Sequence, residues 1–217
     1  MQFPQNPNND GTINLGAGAN IDPSVVLGYL PGRTVDQILT IGPNARIREG
    51  TIIYTSCRIG ANLETGHNVV IREENIIGNN LSIWSNSTID GGCKIGCNVK
   101  IHSKVYIGQY SIIEDDVMLS PGVTLGSEMH PGCPNSKDCM HGPCINKGAQ
   151  VGINCTILPR VVIGEHSLIG AGSVVTRDIP AGVVAYGNPA QVMCDIGDIN
   201  CLTGLRDKPY AHLMERI

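Results

Sequence analysis

Apolar residues return at every sixth position along most of this chain. From Ile41 the series runs through Ile47, Ile53 and Ile59, meets Thr65, and continues from Ile71 through Ile77, Ile83, Ile89, Ile95, Ile101, Ile107 and Ile113 to Leu119 and Leu125. It resumes at Ile145, Val151, Ile157, Ile163, Ile169 and Val175. A period of six suits neither a helix nor a single continuous strand. It does suit short strands joined by repeated corners. Four places after each ladder residue stands a second residue, mostly small or β-branched, as at Ala45, Thr51, Cys57, Val69, Ser87, Cys93 and Val99. In a short strand that residue and the next ladder residue point to the same face, and the residue between them points out. The remaining positions hold Gly, Asn, Asp and Pro, as in Gly60-Ala61-Asn62 and Gly96-Cys97-Asn98. Such residues accept the backbone conformations of tight corners.

A second period sets the number of sides. Gly42, Gly60, Gly78 and Gly96 follow one another at 18-residue steps, so one turn of the solenoid has three sides. The hexads then make seven coils, about 34 Å long at the usual strand spacing. Leu15, Ile21 and Leu27 add an earlier one, for an all-β parallel β-helix of about seven to eight coils, a triangular prism. Two insertions break the phase, at residues 28–40 and 126–144. A repeat protein tolerates insertions where they leave a corner, and such loops carry function because flat sides offer few concave sites. The expected organisation is a helical domain over 1–193 and a short tail over 194–217.

These repeats resemble the hexapeptide-repeat acyltransferases over roughly residues 13–193. That resemblance implies a left-handed helix, whereas the general crossover rule favours the right hand. The loop pair His130-Pro131 and the stretches Ile145 to Ala149, Gly170 to Pro180 and Gly187 to Ala190 look like the galactoside and maltose O-acetyltransferases. The stretch Thr65 to Glu73 looks closer to the N-acetyltransferases of nucleotide-linked amino sugars. Both branches use acetyl-CoA. The resemblance implies an acetyltransferase acting on an amino or hydroxyl group of a sugar, with a nucleotide-linked amino sugar as the first acceptor and a sugar O-acetyltransferase as the alternative. It also implies a homotrimer, with each site between two subunits.

Acyl transfer from a thioester needs a nucleophile, a proton acceptor and stabilisation of an oxyanion. His130 is the first candidate base: its side-chain type titrates near neutrality, and it matches the catalytic histidine of the O-acetyl branch. The 18-residue period stacks Trp84 under His102, places His67 beside that column, and puts Asn86 above Asn68. Asn86 matches the position that lies beside the reacting amine in the nucleotide-sugar branch. His67, Trp84 and His102 are expected to contact substrate, with Glu73, one corner over, as a further sugar ligand. By resemblance, Gly152, Ala171, Thr176 and Arg177 line the acetyl-CoA site. With both Asn86 and His130 present, nitrogen and oxygen acceptors remain open.

Composition narrows the remaining classes. The chain has 217 residues, a net charge of −4 and a single Trp and Phe, which a solenoid without an aromatic core allows. Nothing in that balance points to nucleic acid, no apolar run is long enough for a membrane span, and no leader pattern precedes the repeat, so a cytoplasmic location is expected. Nine cysteines, an odd number, speak against a disulfide framework. Cys57, Cys93 and Cys155 fall at inward positions. Cys133, Cys139, Cys144 and Cys201 are soft ligands around the long loop, and a structural zinc there would clip loop to tail. If His130 joined that zinc it would be lost as a base. Two other classes compete. A γ-carbonic-anhydrase-like metalloenzyme needs a histidine five residues beyond His102, where Ile107 stands. A non-catalytic helix of the ice-binding kind needs an outward threonine ladder, which is not visible in the repeat.

Overall fold

The computed structural model describes residues 11–210. Twenty-four short strands stack in three parallel sheets, one strand per sheet in each of eight coils, the upper end of the expected count. The first face begins with Thr12–Leu15 and Ile38–Ile41, the second with Asn20–Ile21 and Arg46–Ile47, and the third with Val26–Tyr29 and Ile52–Tyr54. The order of faces defines three edges: a first corner between faces one and two, a second between two and three, and a third that returns to face one. The fold is a left-handed parallel β-helix.

Register follows the ladder. Ile59 pairs with Ile77, Ile77 with Ile95 and Ile95 with Ile113. The pairing survives both insertions, because Leu15 pairs with Ile41 and Ile113 with Ile145. Residues 30–37 and 126–143 lie between these strands, and both leave the helix at the third corner. Inside the prism the ladder from Ile41 to Val175 is buried, and so are the second inward residues such as Ala45, Leu63, Val69 and Val99. Truncating one such isoleucine to alanine costs about 2–5 kcal/mol in a packed core. The exception is also satisfied: Thr65 is 3% exposed, and its hydroxyl accepts from the Arg48 N–H at 3.0 Å. A buried hydroxyl with a partner carries little penalty.

Each corner turns on one residue in the left-handed region, the third after the ladder position. At the first corner that residue is Asn44, Asn62, Asn80 and Asn98 in successive coils, followed by Asp116. Their side chains form a ladder, Asn62 donating to Asn80 at 2.8 Å and Asn80 to Asn98 at 2.8 Å. The third corner differs. There the same position holds Ser56, Glu74, Gly92, Tyr110 and Arg160. Residues other than Gly and Asn pay strain in this conformation, so the third corner exchanges backbone comfort for longer side chains.

The faces differ outside as well. The outward residues of the third face are all uncharged: Val26, Ile52, Val70, Thr88, Tyr106, Thr124, Thr156 and Val174. Threonines do occur there, but Tyr106 interrupts them, so they form no continuous array. At the C-terminal end the second face gains Val183–Gly187, parallel to its neighbour, and then Ala190–Asp195, antiparallel. That last strand runs two residues past the expected tail boundary, and the end of the tail, 211–217, lies outside the described residues. Among the described residues no helix is long and apolar enough to cross a membrane.

Cys57, Cys93 and Cys155 are buried, as their inward positions require. Burial pushes the Cys57 and Cys93 thiols up to about 12. Cys201 is the opposite case: the Thr203 hydroxyl and nearby backbone amides bring its thiol down to about 7. Alkylation follows the thiolate. Iodoacetamide at pH 7.5, read by peptide mass, is expected to modify Cys201 well before Cys57 or Cys93.

Candidate functional site

The second corner carries the column read from the sequence. Trp84 and His102 stack with ring centroids 4.4 Å apart, and Trp84 is 38% exposed. The His67 N–H donates to the Ser85 hydroxyl at 3.0 Å, and the Asn86 N–H to the His67 carbonyl at 2.9 Å. Asn86 is exposed, has φ 61°, and its side-chain oxygen accepts from Asn68 at 3.5 Å. It therefore occupies the corner's left-handed position, where asparagine also has a purely conformational use. His67, Trp84, Asn86 and His102 share this edge.

Glu73 does not join them. It sits at the third corner with its side chain fully buried. Arg72 donates two hydrogen bonds to it, at 3.1 and 3.0 Å, and the Arg33 Nε donates a third at 3.1 Å. Burial alone would raise its carboxyl, but its own backbone amide and the guanidiniums of Arg72 and Arg33 outweigh burial and hold it below the ordinary carboxylate range. The acceptor capacity expected for a sugar is spent on arginines. Arg72 reaches on to Asp90 at 3.2 Å, and Asp90 accepts from the Tyr106 hydroxyl at 2.9 Å. Arg33 also bonds Glu74. The excursion 30–37 is thus clamped to the prism by residues forty positions away in the chain.

His130 lies exposed on the long loop, in a turn closed by the Cys133 N–H on its carbonyl at 3.0 Å. A second histidine in this loop escaped the sequence reading. His141 is half-buried, and its Nδ1 lies 2.6 Å from the Gly142 carbonyl. A proton held there leaves Nε2 as the free acceptor, the tautomer a base needs. Gly142 is wedged against Ser111, so a side chain would displace it. The signal in the sequence is the loop's second histidine, just before the strand resumes, without the proline that follows His130. The zinc clip is a correction. Cys133, Cys139, Cys144 and Cys201 are free thiols, and among the described residues no three metal-binding side chains converge. The loop is instead held by backbone contacts, with Arg160 donating to the Cys139 carbonyl at 3.5 Å.

The residues assigned to acetyl-CoA divide between two edges. Gly152 and Ala171 stack at the second corner, one coil apart, so closely that a side chain at Gly152 would meet the Ala171 backbone. Thr176 and Arg177 follow the last strand of the third face, at the third corner, and are exposed.

The repeat, the register and the three-sided section define a parallel β-helix built from six-residue repeats. Residues 92–127 and 145–177 match the family model described as bacterial transferase hexapeptide (six repeats). The chain is 39% identical over 100 residues to the galactoside O-acetyltransferase of Escherichia coli K12, covering 44% of this chain and 46% of that one. It is 54% identical over 48 residues to the dTDP-3-amino-3,6-dideoxy-alpha-D-galactopyranose 3-N-acetyltransferase of Aneurinibacillus thermoaerophilus, covering 22% and 25%. The chain therefore spans less than half the length of these curated relatives. A Bacillus cereus protein described as a candidate acetyltransferase has a crystal structure that aligns with TM-score 0.50 and 29% identity over 67% of this chain and 77% of its own.

Proposed function

We propose that this protein transfers the acetyl group of acetyl-CoA to an amino or hydroxyl group of a sugar, with a nucleotide-linked amino sugar as the first acceptor, and that it works as a homotrimer. The likeness to one sugar O-acetyltransferase and one nucleotide-sugar N-acetyltransferase supports the class. A cytoplasmic setting, where thiols stay reduced, accords with its free cysteines. The acceptor nitrogen or oxygen attacks the thioester carbonyl carbon. Its proton passes to the imidazole of His130. The tetrahedral intermediate collapses, the C–S bond breaks, and the proton moves from imidazole to the CoA sulfur. Asn86 orients the acceptor amine; Gly152, Ala171 and Thr176 line the CoA site, and Arg177 meets the CoA phosphates, where a guanidinium pairs in bidentate fashion. His141, already oriented on the Gly142 carbonyl, is the second candidate base.

One observation carries the trimer. Both candidate sets are split between the same two edges: Asn86, Gly152 and Ala171 at the second corner, and His130, Thr176 and Arg177 at the third. These two edges bound the third face, the uncharged one. A threefold ring is heterologous, so different patches meet at each junction. Turning the third face to the axis brings the second corner of one copy against the third corner of the next, with the loop that carries His130 leaving two coils beyond Asn86. Each site is then completed by two copies. The test is CoA thiol release with a panel of amino sugars, free and dTDP-linked, together with light scattering for mass. Turnover is expected in wild type, with His130→Ala slowed about a hundredfold, within the range for loss of a general base. Asn86→Gly, which keeps the left-handed corner, is expected to slow it at least tenfold with an unchanged thermal midpoint. A monomer, or wild-type rates in both variants, would remove this reading.

A further inference from the structure

The third corner offers a cavity that none of the expected site residues occupies. It lies between the clamped excursion and the first face, about 580 Å³ in volume, and is lined by Asp36, Thr40, Ser56, Arg58 and Glu74 with Ile38 and Ile76. We infer that this cleft binds a neutral or amine-bearing sugar unit of the acceptor; the inference rests on the sugar-acceptor part of the proposed function. Its size falls in the usual range for small-ligand sites.

The lining has the chemistry of a pyranose. Carboxylates at Asp36 and Glu74 accept from hydroxyl or ammonium groups, Arg58 donates, and the Ser56 and Thr40 hydroxyls do both. Ile38 is 43% exposed and Ile76 54% exposed, and they give the C–H face of a ring an apolar floor. The cleft is preformed, because Arg33 pins its outer wall to Glu73 and Glu74. Two of its polar residues, Ser56 and Glu74, stand at φ 62° and 63° in the left-handed position that asparagine fills along the first corner. Side chains kept at such positions mark a demand that the turn itself does not make. The charge balance selects against a pyrophosphate. The lining itself carries one cation, Arg58, against the carboxylates of Asp36 and Glu74, and Glu74 is also paired with Arg33. The nucleotide of a nucleotide-sugar thus lies elsewhere, and this cleft takes a sugar.

The experiment is titration of the full chain, without acetyl-CoA, with D-galactosamine, D-glucosamine, D-galactose and, separately, inorganic pyrophosphate and thymidine diphosphate, followed by calorimetry and ligand-observed NMR. Saturable binding of at least one of the three sugars is expected. Asp36→Asn, at a side chain outside the Arg33–Glu73–Glu74 ion pairs, and Arg58→Ala are each expected to weaken it at least fivefold. The Asp36→Asn/Glu74→Gln pair is expected to weaken it at least tenfold. Thermal midpoints identify any variant whose loss reflects unfolding, and Asp36→Asn then decides. No saturable sugar binding, equal binding by Asp36→Asn, or displacement of sugar by pyrophosphate overturns the inference. Loss of CoA release with sugar binding intact would instead overturn the transferase reading alone.

Discussion

Two slow variants mixed together regain activity. His130→Ala and Asn86→Gly subunits, unfolded together and refolded at equal amounts, are expected to recover about a quarter of wild-type CoA release. In a heterologous ring each site takes one edge from each of two neighbours. Half the third corners then retain His130, half the second corners retain Asn86, and the two coincide in about one site in four. If both residues served one site within a single copy, no mixture would regain rate. The result therefore reads the split between the second and third corners directly. The same mixture made with His141→Ala in place of His130→Ala separates the two histidines: whichever variant is slow alone and complemented in the mixture is the base.

Removing the Glu73 carboxylate is expected to lower stability by about 3 kcal/mol, the lower end of the range for breaking a buried ion pair. The lower end applies because the stranded Arg33 and Arg72 are partly solvated, with side chains 47% and 37% exposed. For a chain of this length that corresponds to a Tm lower by about 6–12 °C. The pH dependence has a definite sign. The folded carboxyl is held below its ordinary value. Its contribution is therefore complete above the unfolded glutamate pKa of about 4.3 and is lost as pH falls through the depressed folded value. Urea unfolding of wild type and Glu73→Gln should differ most at pH 7 and converge in acid. Equal stability at pH 7 would mean that the clamp contributes nothing.

The ladder was legible because its period is local: six residues suffice to state it, and three hexads to close a coil. Even the departure of both insertions from one edge was available by counting hexads, since Leu27 follows Leu15 and Ile21 as the third ladder residue of its coil, as Leu125 follows Ile113 and Leu119. The clamp was not. Arg33 lies in an insertion whose path no period dictates, and Glu73 occurs one residue before a corner position where Glu74 defies the usual preference for Gly or Asn. Burial of Glu73 follows from the partner, and the partner was out of phase. The zinc reading failed for a related reason. Counting soft ligands in Cys133, Cys139, Cys144 and Cys201 says nothing about whether an exposed loop and a tail bring them within a coordination sphere. Asn86 shows the limit of columns: the same residue type satisfies a turn and a catalytic expectation, and only a substitution that preserves the turn distinguishes them.

A stack of identical coils has no intrinsic last member, since every terminal strand offers its free backbone to another of the same direction. Here the second face ends on Ala190–Asp195, which runs the opposite way and carries a register shift opposite Val184 and Ala185. A further chain arriving in the parallel sense finds that face already reversed. The hairpin thus acts as a terminator for that face: end-on addition of another coil in the parallel sense meets a strand that already runs the other way.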